Sequence, residues 1–318
     1  MRLPTLILVL RTASAGVDDA AAQGSILTSA TPELLVDVGQ RTEGPAPASD
    51  GSVYFVDLDL AFGGRIFRWD PATHRAATVR APSGMAAGLA FGPDGRLATA
   101  ELAWNGGRRV GSIALTGGTY RILADSVGGK PIHGANDLVF DQGGRLYFTE
   151  YPLMGPNDVL YRAASGVYRV DPDGEVTRII SDAGTPNGIA VSPDQRTLYV
   201  GTNKLDMLGG HAILAYDLSV DGQVKFRMVL VRLPPTQQPD GIAVDTDGNL
   251  YVAMFAGRTG VAVYDSTGKE VAYVDLPEPT TNVKFGLGPS SNVLYITSAN
   301  ALYRLPVNRQ GYTPTWRR

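Results

Sequence analysis

No cysteine occurs among the 318 residues. Disulfides, thiolate metal sites and a cysteine nucleophile are therefore excluded, although the absence does not fix a redox compartment. Histidine is scarce: His74, His133 and His211 are the only three. They are scattered, so no imidazole cluster is available. Basic residues hold no surplus, since 28 Lys and Arg against 31 Asp and Glu leave a formal net charge of −3. A nucleic-acid partner has no electrostatic footprint here. Beyond the N-terminus no apolar run reaches the length of a membrane span. The G-x-S-x-G, H-E-x-x-H and phosphate-loop motifs are missing as well, and no segment carries a long helical period.

What is plentiful is punctuation, 38 Gly and 21 Pro, around a 44% apolar content. The stretch PDGIAVDTDGNLYVA (239–253) reads as a short apolar strand, an Asp-Gly turn and a second strand. The pattern recurs at 43–57, 87–101, 135–150, 186–202 and 281–298. Aligned on Val53, Leu97, Leu146, Leu198, Leu250 and Leu294, the copies are separated by 44, 49, 52, 52 and 44 residues. Further strand pairs with polar turns lie between the copies, as at 64–71 with 75–82, and at 166–181, 212–231 and 260–277. About four antiparallel strands per period of this size make a propeller blade. The reading is an all-β, six-bladed β-propeller over residues 32–318, with the strand at 33–39 joining the last blade and closing the ring.

Propeller geometry then sorts the chain into two faces. In each blade strand A starts on the top face near the axis, the Asp-Gly turn lies at the bottom, and the B–C and D–A loops return to the top. The residue opening strand A is Glu43, Ala87, Asn136, Asn187, Asp240 and Asn282 in turn. Glycine follows at 44, 88, 188 and 241. Asn and Asp at strand starts also cap turns with their own side chains, but turn capping does not require acids and amides at equivalent positions around a closed ring. Converging oxygens without sulfur or clustered imidazole make a hard divalent-cation site, with calcium foremost because it tolerates irregular geometry, and magnesium, manganese or zinc as alternatives.

At the N-terminus Arg2 precedes the apolar run 3–10, followed by the small residues Ala13, Ser14 and Ala15. Residues 1–25 resemble a secretory signal, with a disordered tail as the other reading. The expected location is outside the cytoplasm, periplasmic or secreted, or cytoplasmic if the segment is not a signal.

Four ordered motifs carry a family likeness: Glu43-Gly44-Pro45, Asn136-Asp137, Pro186-Asn187-Gly188 and Pro239-Asp240-Gly241. With Glu101, Asn105 and Arg108-Arg109 beside them, they resemble the SMP-30/gluconolactonase/luciferin-regenerating-enzyme (LRE)-like family of metal-dependent hydrolases over nearly all of residues 40–305. In bacterial gluconolactonases the Glu101 run is Glu-His-Gly-Asn-Arg-Arg; here it is longer and lacks the His. The resemblance implies a six-bladed propeller and hydrolysis of a small-molecule lactone. It implies Glu43, Asn187 and Asp240 as ligands of the divalent ion, Asn136 at ion or substrate, and Asp240 as general base.

Around this axis the top loops offer substrate contacts. Glu101 and Glu150 end strand B in consecutive blades and are expected to point to the mouth, beside Tyr151 and His133. The longest loop, 151–166, contributes Met154, Leu160 and Tyr161 as a lid over a partly apolar substrate. His211 lies on the same face, and His74 in a bottom turn. Two other functions share these features: a phosphorus-ester hydrolase on the same metal site, and a non-enzymatic platform with structural calcium.

Overall fold

The computed structural model describes residues 26–29, 31–151, 165–205 and 210–316. The expected signal segment and most of the 151–166 loop, with its Met154, Leu160 and Tyr161, lie outside them.

Six four-stranded antiparallel sheets are arranged as blades. Blade 1 runs Thr42–Pro47, Val53–Asp57, Arg65–Asp70 and Arg75–Arg80, from strand A inside to strand D outside. The A strands of blades 2 to 6 are Ala86–Phe91, Ala135–Phe140, Pro186–Val191, Gln238–Val244 and Thr280–Phe285. Blade 6 takes its outer strand from the other end of the chain: Glu33–Asp37 pairs antiparallel with Ala301–Pro306. The ring is thus closed by the segment that the sequence assigned to closure. Closure covers the edge that the last blade would otherwise expose.

Strands A and B are apolar on both faces because each blade is sandwiched between two others. Val53–Asp57 is buried throughout, whereas the outer Arg75–Arg80 is exposed or half-buried at every position. The core therefore lies between blades. Tyr54, Val56 and Ile66 of blade 1 meet Leu89, Leu97 and Ile113 of blade 2. At the closure Phe55 and Trp69 pack with Tyr295 and Leu302, and Leu35 and Val36 lie against them.

The bottom A–B turns are held by more than Asp-Gly chemistry. In blade 5 the fully buried Asp245 carboxylate accepts from the amides of Asp247 and Asn249, the Asn249 side chain and the Tyr251 hydroxyl. Gly248 takes φ +87, which only glycine adopts cheaply. The C-terminal segment then crosses below the axis. Tyr312 bonds Val244 and Gln195, and the Trp316 indole donates to the Asp141 carbonyl. Above it an axial cavity of about 170 Å³ is lined by all six A strands.

At the top end every A–B ladder slips. The register shifts between Glu43 and Ala46, Ala86 and Leu89, Ala135 and Leu138, Pro186 and Ile189, Pro239 and Ile242, and Thr280 and Asn282. A bulge leaves a residue unpaired and re-aims its side chain, and here it does so six times around one axis.

Leu302 is fully buried in the closing cluster. Leu302→Ala is expected to destabilise the fold by about 2–5 kcal/mol, read from the shift of a urea unfolding midpoint at unchanged slope.

Candidate active site

The bulges decide which residues face one another. A Cβ on Gly44 would collide with the Ala87 carbonyl, one on Gly88 with Asn136 and Asp137, one on Gly188 with the Asp240 carbonyl, and one on Gly241 with the Asn282 side chain. Glycine is what allows each inner strand to approach the next. These contacts put Glu43, Ala87, Asn136, Asn187 and Asp240 at equivalent places, as the repeat predicts. Blade 6 differs. Thr281 occupies the equivalent place, and Asn282 stands one residue later, aligned with the glycines, because that blade's ladder resumes at Asn282. The Thr281 hydroxyl is spent on the Thr42 carbonyl and on Thr297.

Glu43, Asn187 and Asp240 are all buried, and Asn136 is half-buried. Glu43 Oε2 accepts from the Gly44 amide at 2.9 Å and from Asn282 Nδ2 at 3.2 Å. Asn282 is thus a positioning residue for Glu43; its own Oδ1 accepts from the Val283 amide. Burial pushes the Glu43 carboxyl from 4.5 up to about 7, and the charge of Asp137 adds to the rise. Burial also raises Asp240 well above the ordinary aspartate range, followed by repulsion from Glu43 and Asp137. The Asn187 amide donates toward Asp240, while Asn187 Oδ1 is buried with no hydrogen-bond partner.

Asp137 was absent from the expected ligand set. It is 1% exposed, with Oδ1 on the Leu138 amide and Oδ2 without a hydrogen bond. Lys284 Nζ lies 3.9 Å from that Oδ2 and also donates to the Ile242 carbonyl. Arg41 lowers the cost of charge on both Glu43 and Asp240.

Among the described residues no group of three or more His, Cys, Asp or Glu forms a ready-made metal cluster. The donor set on the axis is instead two carboxylates and amide oxygens. Two buried acids that repel each other, beside an orphaned amide oxygen, fit a hard divalent cation: it would relieve the repulsion and satisfy Asn187 Oδ1.

A family model of the SMP-30/gluconolactonase/LRE-like region matches residues 41–300. The chain belongs to the SMP-30/gluconolactonase/LRE-like family. It is 32% identical over 269 residues to the pentonolactonase XacC of Haloferax volcanii, covering 83% of this chain and 84% of that one. It superposes on a gluconolactonase from Xanthomonas campestris with a TM-score of 0.78 at 28% identity, covering 89% and 92% of the two chains. The fold is shared with regucalcin, a calcium-binding protein from Agrobacterium tumefaciens strain C58, at a TM-score of 0.71 and 20% identity over 92% and 97% of the chains.

Away from the axis, this family member uses its strand-B ends differently from the sequence expectation. Glu101 and Glu150 do not point to the mouth; both are fully buried. Glu101 accepts from Arg109 Nε at 2.9 Å, Tyr120 OH at 2.7 Å and Thr99. Glu150 accepts from the His133 amide at 2.7 Å and Tyr168 OH at 2.8 Å. The equivalent Asp57, Thr202 and Ser298 likewise bond the loop that enters the same blade's strand A. Asp57, Glu150, Thr202 and Ser298 thus brace the loops that enter strand A, while Glu101 ties strands B, C and D of its blade together. His133 is 1% exposed, its Nδ1 3.6 Å from Glu150 Oε1. Tyr151 is half-buried and hydrogen-bonds through its amide to Gly134. Arg258 turns outward onto Tyr273 and Glu270. His74 is exposed, as expected.

The raised Glu43 and Asp240 values have a signed consequence. Each acid binds its proton more tightly folded than unfolded, so its contribution to stability is full below the unfolded value, 4.5 for Glu43. It is lost as pH rises through about 7. Cation-free protein is therefore expected to melt at progressively lower temperature across that window. Saturating calcium should raise the melting temperature most at the high-pH end, and Glu43→Gln should flatten the pH profile. A calorimetric melt at each pH, with and without chelator, checks this; pH-independent melting with no calcium effect would contradict it.

Proposed function

We propose that the protein is a divalent-cation-dependent lactonase, opening a sugar or related lactone. The observation that carries the reading is the pair of buried, mutually repelling carboxylates on the axis, Glu43 and Asp240, beside the orphaned Asn187 oxygen. Membership of a family with lactonases among its similar proteins supports the reaction class.

Glu43, Asn187 and Asp240 would hold the cation, calcium foremost for an all-oxygen set of irregular geometry, with Asn136 toward ion or substrate. The bound ion would supply polarisation of the lactone carbonyl. Asn282 keeps Glu43 in place, and Glu150 fixes the loop that leads to Asn136. Asp240 accepts the proton of the attacking water as its oxygen bonds to the carbonyl carbon. The ring C–O bond then breaks, and the same proton is available to the departing alkoxide, leaving a hydroxy acid. A bound cation would keep Asp240 ionised, as a proton acceptor must be. The half-buried Tyr151 stands on a loop at the mouth, where substrate hydroxyls would be read, whereas His133, expected beside it, is buried against Glu150. The apolar run at 3–10 supports export as the setting of this activity.

The test is turnover of sugar and aliphatic lactones, with a phosphotriester alongside, in calcium and then in EDTA. Chelator-sensitive lactone opening is expected. Asp240→Asn should lower kcat about a hundredfold or more while calorimetry still registers calcium. Full activity in that variant would assign the base elsewhere, and phosphotriester turnover alone would replace the lactone as substrate.

A further inference from the structure

The Arg41 side chain crosses the mouth of the propeller. Its backbone is fixed in blade 1, where the Arg41 amide donates to Asp57 Oδ1 and the Arg41 carbonyl accepts from the Leu58 amide. Its guanidinium carbon nevertheless lies 5.6 Å from the centroid of Phe255, which belongs to strand B of blade 5. Blades 1 and 5 are not neighbours; blade 6 lies between them. The side chain therefore reaches from blade 1 toward blade 5, close enough to Glu43 and Asp240 for its charge to favour the ionised form of each. Arg41 is exposed and Phe255 half-buried, so the cation faces solvent on one side and rests on a ring on the other. Among the described residues no carboxylate lies within ion-pair distance of it.

A cation in this position is unexpected on charge grounds. Glu43 and Asp240 together would balance one divalent ion, and Asp137 already faces the Lys284 ammonium. Arg41 acts on Glu43 and Asp240 only through space, without an ion pair among the described residues, so its exposed guanidinium has donor edges left for an anion. A guanidinium stacked on an aromatic face keeps its donor edges free, and those edges match a carboxylate in bidentate fashion. A lysine, or an arginine locked in an ion pair, would not present this edge.

We propose that Arg41, seated on Phe255, is a specificity-determining residue that recognises an anionic group on the substrate, so that the preferred lactones carry a carboxylate outside the ring being opened. The inference rests on the lactonase reading for the identity of the substrate, but the placement of the cation does not depend on it.

The experiment compares D-glucaro-1,4-lactone, which carries such a carboxylate, with the neutral D-glucono-1,4-lactone in calcium-loaded protein. The wild type is expected to favour the acidic lactone in kcat/KM, and Arg41→Gln to reduce that ratio about tenfold. Arg41→Lys should recover part of the ratio, and Phe255→Leu should lose part of it while Arg41 is retained. The preference should weaken as added salt shortens the Debye length to about 8 Å and below. Equilibrium binding of D-glucarate against D-gluconate, by calorimetry on the same proteins, gives a readout independent of turnover. An acidic-to-neutral ratio unchanged by Arg41→Gln, or a wild type that favours the neutral lactone, overturns the proposal. If neither lactone is opened, the lactonase reading fails. The binding comparison then still decides Arg41: an excess affinity for glucarate that Arg41→Gln abolishes supports anion recognition, and equal affinities refute it.

Discussion

Where one inner strand meets the next, four of the six bulges carry glycine, and at each of the four a side chain would strike a neighbouring bulge. That close approach is the constraint on which the site depends. It narrows the top of the axis until acids from blades 1 and 5 share one low-dielectric space. Their repulsion follows from the narrowing, as does the burial that deprives Asn187 of water. The two blades without glycine at this place, 3 and 6, supply Asp137 and Asn282 instead. Each anchors one oxygen on the next backbone amide. One introduces a further charge and the other orients Glu43, so the exceptions to the glycine ring are also part of its chemistry.

Stability and function are divided along each blade. The bottom turns and interblade faces hold the ring, with Asp245 and its relatives as local cross-links. The upper ends of strand B carry buried polar groups that brace the entering loops. An acid in such a position, held by three donors as Glu101 is, is worth more as an anchor than as a binding group, because using it would leave Arg109 and Tyr120 short of a partner. The axial acids and amides are therefore built on braced backbone, which a site that holds mutually repelling acids requires.

The propeller was legible in the sequence because its evidence is redundant: six copies, even spacing and turn residues in register all say the same thing. Glu43, Asn187 and Asp240 were legible by recurrence at one repeat position. Asn282 was placed one residue astray because the bulge breaks the period-two alternation, and the sixth copy carries extra residues around a short 3-10 turn at Gly288–Ser290. The same break hid Asp137, whose neighbour Asn136 claimed the ligand position. The strand ends make Glu101 and Glu150 look like mouth residues; apart from Thr99, their partners lie 8 to 19 residues away in sequence, and only packing reveals which way the side chains turn. Arg41 and Lys284 act across blades, so no local pattern marks them.

Leu27 bridges to Val307, and the C-terminal segment runs beneath the axis to Asp141. Both described ends of the chain thus leave from the face opposite the mouth. A fusion partner, affinity tag or solid support joined directly to either described end would sit under the propeller, and protein coupled in this way would be displayed with its binding face turned outward to the medium.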